Sequence, residues 1–369
     1  MRISDLHRAG QSDRPAAVTP RAGVSAGGWF LAIWLLATPV AWSQTDSSPV
    51  LNLPAITATA QKLPRLHSLL ISLQGEIILE DYFNGRDASQ PANMKSASKS
   101  VISALVGIAI REGFLKGVDQ PIADFFPEYL AGSDGAKKRG ITIENLLTME
   151  SGLESTSSRN YGRWVMSDDW IRFALDQPVV APAGEQMIYS TGSTHLLSAI
   201  ISRASGMDTR QFAQRYLTTP LGVRIAYWSR DPQGIYFGGN DMEMTPRAML
   251  AFGEMYLNQG QHGDQQVLPP QWVAVSHEAH AVSPRGQGRF YGYGWWLRDL
   301  ADMLVPVAWG YGGQLIFVIP RFELVVVATS DSTPASDRFG HLQSLYDLVE
   351  YQVLWPLRQA ADRQMVGAR

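Results

Sequence analysis

Strand-forming segments occur only towards the two ends of the folded part of this sequence, and this arrangement constrains its fold most. Near the beginning, the runs "LHSLLIS" and "EIILEDYF" are apolar and β-prone, which predicts a hairpin over residues 66–83. Comparable runs return only late, as "FYGYGWWLR", "LIFVIP" and "FELVVVATS". Between them lie helical patterns joined by Gly and Pro turns. We therefore expect an α+β fold, in which one antiparallel sheet is built from both chain ends, is flanked by helices and receives an inserted, mainly helical domain.

These patterns predict four parts along the chain. Residues 1–43 have the layout of a secretory signal, because arginines precede the uncharged run "WFLAIWLLATPVAWSQ" and small residues precede a cleavage site. Residues 44–63 are rich in Ser, Thr, Pro and Ala and are expected to be a linker. Residues 64–118 and 287–369 would form the α/β domain, and residues 119–286 the helical insertion. The signal predicts an exported protein, periplasmic or secreted; the alternative is an uncleaved membrane anchor.

Composition excludes several classes of function. The formal net charge is -3, so no basic field exists to hold nucleic acid. The chain has no cysteine, which excludes disulfides, thiolate catalysis and cysteine-ligated zinc. His277 and His280 have the wrong spacing for an H-E-x-x-H zinc site, and no G-x-S-x-G nucleophile elbow occurs in residues 44–369. We expect neither a metal nor a cofactor, and no partner protein is implied.

Ser96 and Lys99 form an S-x-x-K motif at the start of the most apolar helical run in the chain, "SVISALVGIAIREG". Residues three apart share a helix face, so the serine hydroxyl and the lysine amine can meet. The positive end of the helix dipole disfavours an ammonium group, and burial lowers a lysine pKa further. The motif therefore predicts a serine nucleophile with Lys99 as its base. The alternative is that the serines cap a core helix and the lysines are solvated.

Two further segments could complete such a site. Tyr189, in "QMIYSTGSTHLL", lies where a loop enters a helix and could relay a proton, although an ordinary half-buried tyrosine is the alternative. The segment "AWGYGGQLIFVIP" brings a glycine-rich bend to an apolar strand, where main-chain N–H groups could face a developing oxyanion. A bulged strand entry is the alternative interpretation of that bend.

These three elements, in this order, resemble the serine β-lactamase and penicillin-binding-protein superfamily, and most of all its class C-like branch. That branch includes family VIII esterases, D,D-peptidases and 6-aminohexanoate-dimer hydrolase. The resemblance implies a β-lactamase/transpeptidase-like fold in which Ser96 is acylated, Lys99 activates it and Tyr189 relays a proton. It also implies that Ser96 and Tyr311 donate their backbone N–H groups to the oxyanion hole, with Gly312 as the fallback for Tyr311.

Two departures from the family pattern concern the substrate. The tyrosine motif has Thr191 where class C β-lactamases have Asn, which there holds the substrate amide. The strand motif has Ala308 where β-lactamases have Lys and D,D-peptidases commonly have His. A cation at that position helps to bind a carboxylate, so its absence counts against penicillins and peptide termini as substrates.

Several residues are candidates for the substrate pocket or its surroundings. The Asn240 amide would line the cleft or cap the following helix. Tyr161 and Trp164 would form an apolar wall or pack as ordinary aromatic residues. His195 is expected to be a packed helix residue and not a base, and at most one of the adjacent Trp295 and Trp296 can face the cleft. The pocket candidates are Thr191, Trp309, Gly310, Asn240, Tyr161 and Trp164.

The sequence thus predicts an exported serine hydrolase that forms an acyl-enzyme on Ser96 and cleaves an ester, amide or peptide-like small molecule. The first alternative is a β-lactamase or D,D-carboxypeptidase. The second is a non-catalytic binding protein of the cell envelope on the same fold.

Overall fold

The computed structural model describes residues 50–284, 286 and 288–367. Its main element is an eight-stranded sheet in the order β2-β1-β13-β12-β11-β10-β9-β8, in which all neighbours are antiparallel. The predicted α+β fold, with a sheet built from both chain ends, is therefore confirmed. The strands are β1 Leu66–Leu73, β2 Glu76–Tyr82, β3 Ala92–Asn93, β4 Tyr227–Trp228, β5 Met242–Met244, β6 Gln261–His262, β7 Gln265–Gln266, β8 Ala281–Val282, β9 Arg289–Tyr291, β10 Trp296–Leu300, β11 Met303–Gly310, β12 Gln314–Ile319 and β13 Leu324–Ser330.

Helices cover both faces of this sheet, which explains why β12 and β13 are apolar without alternation and fully buried. Val325 and Val327 point into the core beneath α2 and α9, whereas Val326 points into a second core beneath the C-terminal helices. The helices are α1 Leu53–Ala60, α2 Ser98–Arg111, α3 Ser133–Ala136, α4 Ile143–Leu147, α5 Tyr161–Val165, α6 Trp170–Leu175, α7 Thr191–Ser205, α8 Thr209–Ala213, α9 Pro246–Leu257, α10 Pro270–Ser276, α11 Arg338–Asp347 and α12 Trp355–Gly367, with a π-helical segment, Leu348–Leu354, joining the last two.

The first hairpin forms where the sequence predicts it. Its turn consists of Gln74 and Gly75, which have φ values of 54° and 80°. Two consecutive positive φ values are typical of the type I′ turn, whose twist matches that of the paired strands.

The predicted linker needs a correction, because α1 lies inside residues 44–63. The Asn52 side chain accepts a hydrogen bond from the Ala55 N–H and caps the helix. Ile56 and Ala60, four residues apart, are buried in the core beneath the C-terminal helices. The Ser, Thr, Pro and Ala composition concealed this short amphipathic pattern. The predicted signal, residues 1–43, lies outside the described residues, as do residues 44–49 of the linker.

The boundaries of the predicted helical insertion also need a correction. Strand β8 lies within residues 119–286, yet it pairs with β9 at the edge of the main sheet. Helix α9 packs on the sheet itself, and a Cβ atom added at Gly253 would lie 2.7 Å from Val325 and 2.9 Å from Ile316. Glycine allows this close approach. The described residues form one compact unit, so the insertion is part of a continuous core.

No helix within the described ranges combines the length and apolarity that a bilayer span requires.

Candidate active site

Ser96 lies in a single 3₁₀ turn, Lys95–Ala97, that leads directly into α2. Two side chains fix this turn: the Asn93 side-chain oxygen accepts the Lys95 N–H at 3.0 Å, and the Ser98 hydroxyl donates to the Lys95 carbonyl at 2.8 Å. Lys95 itself has a φ of 49°, a left-handed conformation that is rare for a residue with a side chain. The Ser96 side chain is consequently half-buried just before α2, and the first twelve residues of that helix are buried.

Lys99 is the second residue of α2, and its side chain is only 1% exposed. Its Nζ atom lies 3.3 Å from Ser96 Oγ, 3.3 Å from Thr191 Oγ1 and 2.7 Å from the Gly239 carbonyl oxygen. Burial lowers the pKa of Lys99 to about 7, because the charged form loses its hydration and no carboxylate contacts it among the described residues. A neutral amine beside a serine hydroxyl can accept its proton.

Tyr189 lies two residues before α7 and packs beside Lys99. The Lys99 Nζ atom is 5.2 Å from the centroid of the Tyr189 ring. The ring stacks on Trp296 at 5.6 Å and meets Tyr291 edge-on, while the Ser155 hydroxyl donates to the Tyr189 carbonyl at 2.7 Å. The tyrosine therefore has a fixed position on the side of the site that faces β9 and β10.

The end of β11 approaches the turn that carries Ser96. A Cβ atom added at Gly310 would lie 2.1 Å from the Met94 carbonyl oxygen, so only glycine fits there. Tyr311 follows in the turn between β11 and β12, and Gly312 has a φ of 86° beside the Asp331 carbonyl. The main chain at Tyr311 is thus brought next to the residues that precede Ser96, as an oxyanion hole of these two residues requires.

Thr191 takes part in a hydroxyl network that the sequence did not reveal. Its Oγ1 atom lies 3.0 Å from Ser157 Oγ, and that serine oxygen accepts the Thr191 N–H at 2.9 Å. Ser157 and the Gly239 carbonyl are the two partners that sequence reasoning missed. A single serine in a loop has no sequence pattern that indicates a place in this site. The same holds for a backbone oxygen, which any residue has.

The two aromatic residues predicted to line the pocket, Tyr161 and Trp164, lie in different environments in the structure. Asn240 donates to the Tyr161 hydroxyl at 2.7 Å next to Gly239, which places this pair beside the lysine. Trp164, in contrast, is fully buried, donates to the Trp170 carbonyl and packs on His195. The interpretation of Trp164 as a pocket wall is therefore corrected to a core residue, as its aromatic neighbours exclude it from the cleft.

The alternatives for two other sets of residues are resolved by their contacts. His195 is fully buried, and its Nε2 atom lies 2.9 Å from the Asp231 carboxylate. Trp295 is fully buried in the core and only Trp296 of the pair reaches Tyr189. The cap of α9 is Thr245, so Asn240 has no capping role there.

Comparison with known proteins identifies the family to which the chain belongs. The family model described as Beta-lactamase matches residues 67–348, which is more than half of the chain. The chain belongs to the Beta-lactamase family. Membership supports a hydrolytic activity and confirms the resemblance to the serine β-lactamase and penicillin-binding-protein superfamily. No curated protein matches the sequence.

Solved structures of this family share the fold at low sequence identity. A Bacillus anthracis protein described as a 6-aminohexanoate-dimer hydrolase is 20% identical, with a TM-score of 0.67 over 78% of this chain and 79% of that one. A Bacteroides dorei protein described as a β-lactamase is 17% identical, with a TM-score of 0.67 over 83% and 97%. EstCE1, described as a hydrolase with promiscuous acyltransferase activity, is 19% identical, with a TM-score of 0.66 over 80% and 98%.

The strand motif of this chain has no charged side chain at its first position. Ala308 is fully buried and packs in the core beneath α2, so β11 offers no cation there. Trp309 points to the other face of the sheet and is half-buried. Among the described residues, no group of three His, Asp or Glu side chains could hold a metal ion.

Proposed function

We propose that this protein is an exported serine hydrolase that forms an acyl-enzyme on Ser96 and cleaves an ester or amide bond. The observation that carries the proposal is the 3.3 Å contact between Ser96 Oγ and the buried Lys99 Nζ, whose pKa is lowered to about 7. A serine that meets a desolvated lysine is an activated nucleophile.

In the acylation step, Ser96 Oγ adds to the carbonyl carbon of the substrate while its proton passes to the neutral Lys99 amine. The backbone N–H groups of Ser96 and Tyr311 would stabilise the oxyanion that forms. Tyr189 then gives its proton to the leaving alcohol or amine and regains one from the Lys99 ammonium. Loss of the leaving group completes the ester on Ser96, and an attacking water molecule releases the acid and restores the serine.

The Gly239 carbonyl and the Thr191 hydroxyl support this proposal, because they hold the Lys99 amine beside the serine and no carboxylate among the described residues contacts it. A nearby carboxylate would raise the lysine pKa and keep the amine protonated. Ala308 favours an esterase or amidase over a β-lactamase or D,D-carboxypeptidase, since the strand supplies no cation for the carboxylate of those substrates.

The nucleophile is tested with a fluorophosphonate probe, which reacts with activated serines. We expect labelling of the wild type and of Ser103→Ala, a matched control on the same helix, and no labelling of Ser96→Ala. Equal labelling of Ser96→Ala and the wild type would exclude Ser96 as the nucleophile. Turnover of p-nitrophenyl esters, small amides and nitrocefin by the same three proteins then separates the esterase, amidase and β-lactamase activities.

Export is the second part of the proposal and is supported by the layout of residues 1–43. Sequencing the N-terminus of protein expressed from the full chain tests it. A mature chain that starts at Gln44 supports export by a cleaved signal, and a chain that starts at Met1 contradicts that cleavage.

A further inference from the structure

The oxygens around the Lys99 amine determine the direction in which its lone pair points. A neutral amine on a side chain has two hydrogens and one lone pair. Within the described residues, its hydrogen-bond partners are the Gly239 carbonyl at 2.7 Å, Thr191 Oγ1 at 3.3 Å and Ser96 Oγ at 3.3 Å. Lys99 can accept the serine proton only when the lone pair faces Ser96. The two amine hydrogens must therefore go to Gly239 and Thr191.

Gly239 and Thr191 differ in what they can do. The Gly239 carbonyl oxygen only accepts hydrogen bonds, so it takes one amine hydrogen. The Thr191 hydroxyl can either accept or donate, and it takes the second amine hydrogen only if it accepts. If its O–H donates to the amine instead, it occupies the lone pair, and the second amine hydrogen is left to Ser96. The serine then cannot pass its proton to Lys99.

Ser157 supplies an acceptor that turns the Thr191 O–H away from the amine. The Ser157 Oγ atom lies 3.0 Å from Thr191 Oγ1 and accepts the Thr191 N–H at 2.9 Å. Among the described residues, Thr191 Oγ1 has two hydrogen-bond partners, Lys99 Nζ and Ser157 Oγ. Thr191 is only 5% exposed, so water has little access to its hydroxyl. A threonine hydrogen that does not point at the amine therefore points at Ser157.

The surroundings of Ser157 allow it to take this hydrogen. The Ser155 hydroxyl accepts the Ser157 N–H at 2.9 Å and donates to the Tyr189 carbonyl at 2.7 Å, which fixes this loop against the segment that leads into α7. Ser157 also lines a cavity of about 580 Å³. Its own hydroxyl hydrogen can point into that cavity while its two lone pairs accept from Thr191.

We propose that Ser157 is a positioning residue for the base: by accepting the Thr191 O–H, it makes Thr191 an acceptor for the Lys99 amine and leaves the lone pair to Ser96. The inference rests on the proposed function, in which Lys99 takes the serine proton. Ser157 touches none of the reacting atoms and acts only through Thr191.

Ser157→Val and Ser157→Thr form a matched pair, because the two side chains have the same shape and only threonine keeps a hydroxyl. Both suit the extended backbone of Ser157, whose φ is -86°. In Ser157→Val we expect kcat/KM for p-nitrophenyl butyrate to fall by about 10-fold, since a hydrogen bond from Thr191 to the lone pair must break before the reaction. Ser157→Thr should stay within about 2-fold of the wild type. An equal decrease in both variants would overturn the inference.

The pKa of Lys99 distinguishes this role from a merely structural one. Burial causes its lowered pKa, and Tyr189 is the titratable side chain that contacts the amine among the described residues. A hydrogen bond to the lone pair favours the neutral amine, so Ser157→Val should lower this pKa by about 1. Loosened packing would admit water and raise it. A pKa that rises or stays the same in Ser157→Val therefore contradicts the inference.

Carbon-13 NMR of protein labelled at the lysine Cε atoms measures this pKa. The chain has six lysines, so the spectrum is simple, and the signal that Lys99→Arg removes is that of Lys99. Ser157→Ala replaces Ser157→Val if valine prevents folding, with the same expected directions.

Thr191→Val tests whether the effect passes through the threonine hydroxyl. Without that hydroxyl the lone pair has no competing donor, so Ser157→Val and Ser157→Thr should give equal Lys99 pKa values in the Thr191→Val background. A difference that persists there would exclude this route.

The same titration in Ser96→Ala protein separates failure of this inference from failure of the proposed function, because it requires no turnover. A lower Lys99 pKa for Ser157→Val than for Ser157→Thr in that background supports the positioning role even if Ser96 proves not to be the nucleophile. Equal values contradict the role even if the enzyme is an active serine hydrolase.

Discussion

At the scale of single residues, the chemistry of the site depends on how Lys99 is surrounded. Within the part of the chain that the structure describes, three oxygens contact its amine, from Ser96, Thr191 and Gly239, and none of them carries a charge. The amine donates hydrogen bonds to these neutral oxygens, which position it, and burial penalises the ammonium form. In the proposed mechanism this environment prepares a base near neutral pH, because burial disfavours the ammonium form and no carboxylate contacts the amine among the described residues.

The pH dependence of the reaction follows from this pKa. Because the lysine must be neutral to accept a proton, activity should rise with pH through about 7 and then level off. We expect kcat/KM for a neutral ester, measured between about pH 5 and 9, to follow this acid limb. Lys99→Arg, which cannot lose its proton near neutral pH, should lower kcat/KM by about 10²–10⁴-fold. Full activity of a folded Lys99→Arg protein would show that Lys99 is not the base.

The sequence predicts contacts between site residues that lie close together in the chain. It does not predict contacts between residues that only the tertiary structure brings together. Ser96 and Lys99 are three residues apart, so helix geometry alone predicts their contact. The Gly239 carbonyl contacts Lys99, and Ser157 contacts Thr191 beside it, only because three separate chain segments pack together. Trp164 was misplaced because an aromatic side chain in a loop-like sequence has the same pattern whether it lines a cleft or fills a core.

At the scale of structural elements, the chain segment that contains Gly239 is held in place by two buried side chains, those of His195 and Asp231. His195 Nδ1 accepts the Gly238 N–H at 3.4 Å, and its Nε2 lies 2.9 Å from the Asp231 carboxylate. The same carboxylate accepts the N–H groups of Gln233 and Ile235, so α7 and the turn after β4 are tied to the segment that holds the lysine. His195 is in this sense a positioning residue, because it reaches Lys99 only through the main chain.

Replacing His195 should therefore change the base as well as the stability. We expect His195→Phe to shift the acid limb of the kcat/KM profile and to lower kcat by about 10-fold, since the Gly239 carbonyl would no longer be fixed against Lys99. Unfolding should also require less denaturant, because the buried Asp231 loses a partner. His277→Phe is the matched control: His277 is fully buried, and burial lowers its pKa to about 3, but no hydrogen bond links it to the Gly239 segment. Identical pH profiles for His195→Phe and the wild type would contradict the positioning role.

At the scale of the whole molecule, the sheet could be predicted because its strands are apolar runs that end in clear turns. Its two layers of helices could be assigned only in part. The sequence pattern of α9 resembles that of its neighbours in the helical segment, and only Gly253 permits its close packing on the sheet. Helix α1 is short and rich in residues typical of linkers, so its contribution to the core depends on the C-terminal helices, about 300 residues away in the chain.

Helix α1 should stabilise the fold without taking part in the chemistry, because it packs on the face of the sheet opposite α2. We expect Ile56→Ala to lower the free energy of unfolding by about 2 kcal/mol, at the low end of the range for a buried isoleucine since a peripheral helix can relax into the space. Its kcat for a neutral ester, measured well below the unfolding transition, should equal that of the wild type. Ile77→Ala removes the same atoms from a side chain that is 45% exposed, and it should change the denaturation midpoint much less. Equal midpoints for the two variants would mean that residues 53–60 do not stabilise the fold, and the linker interpretation of this segment would then be restored.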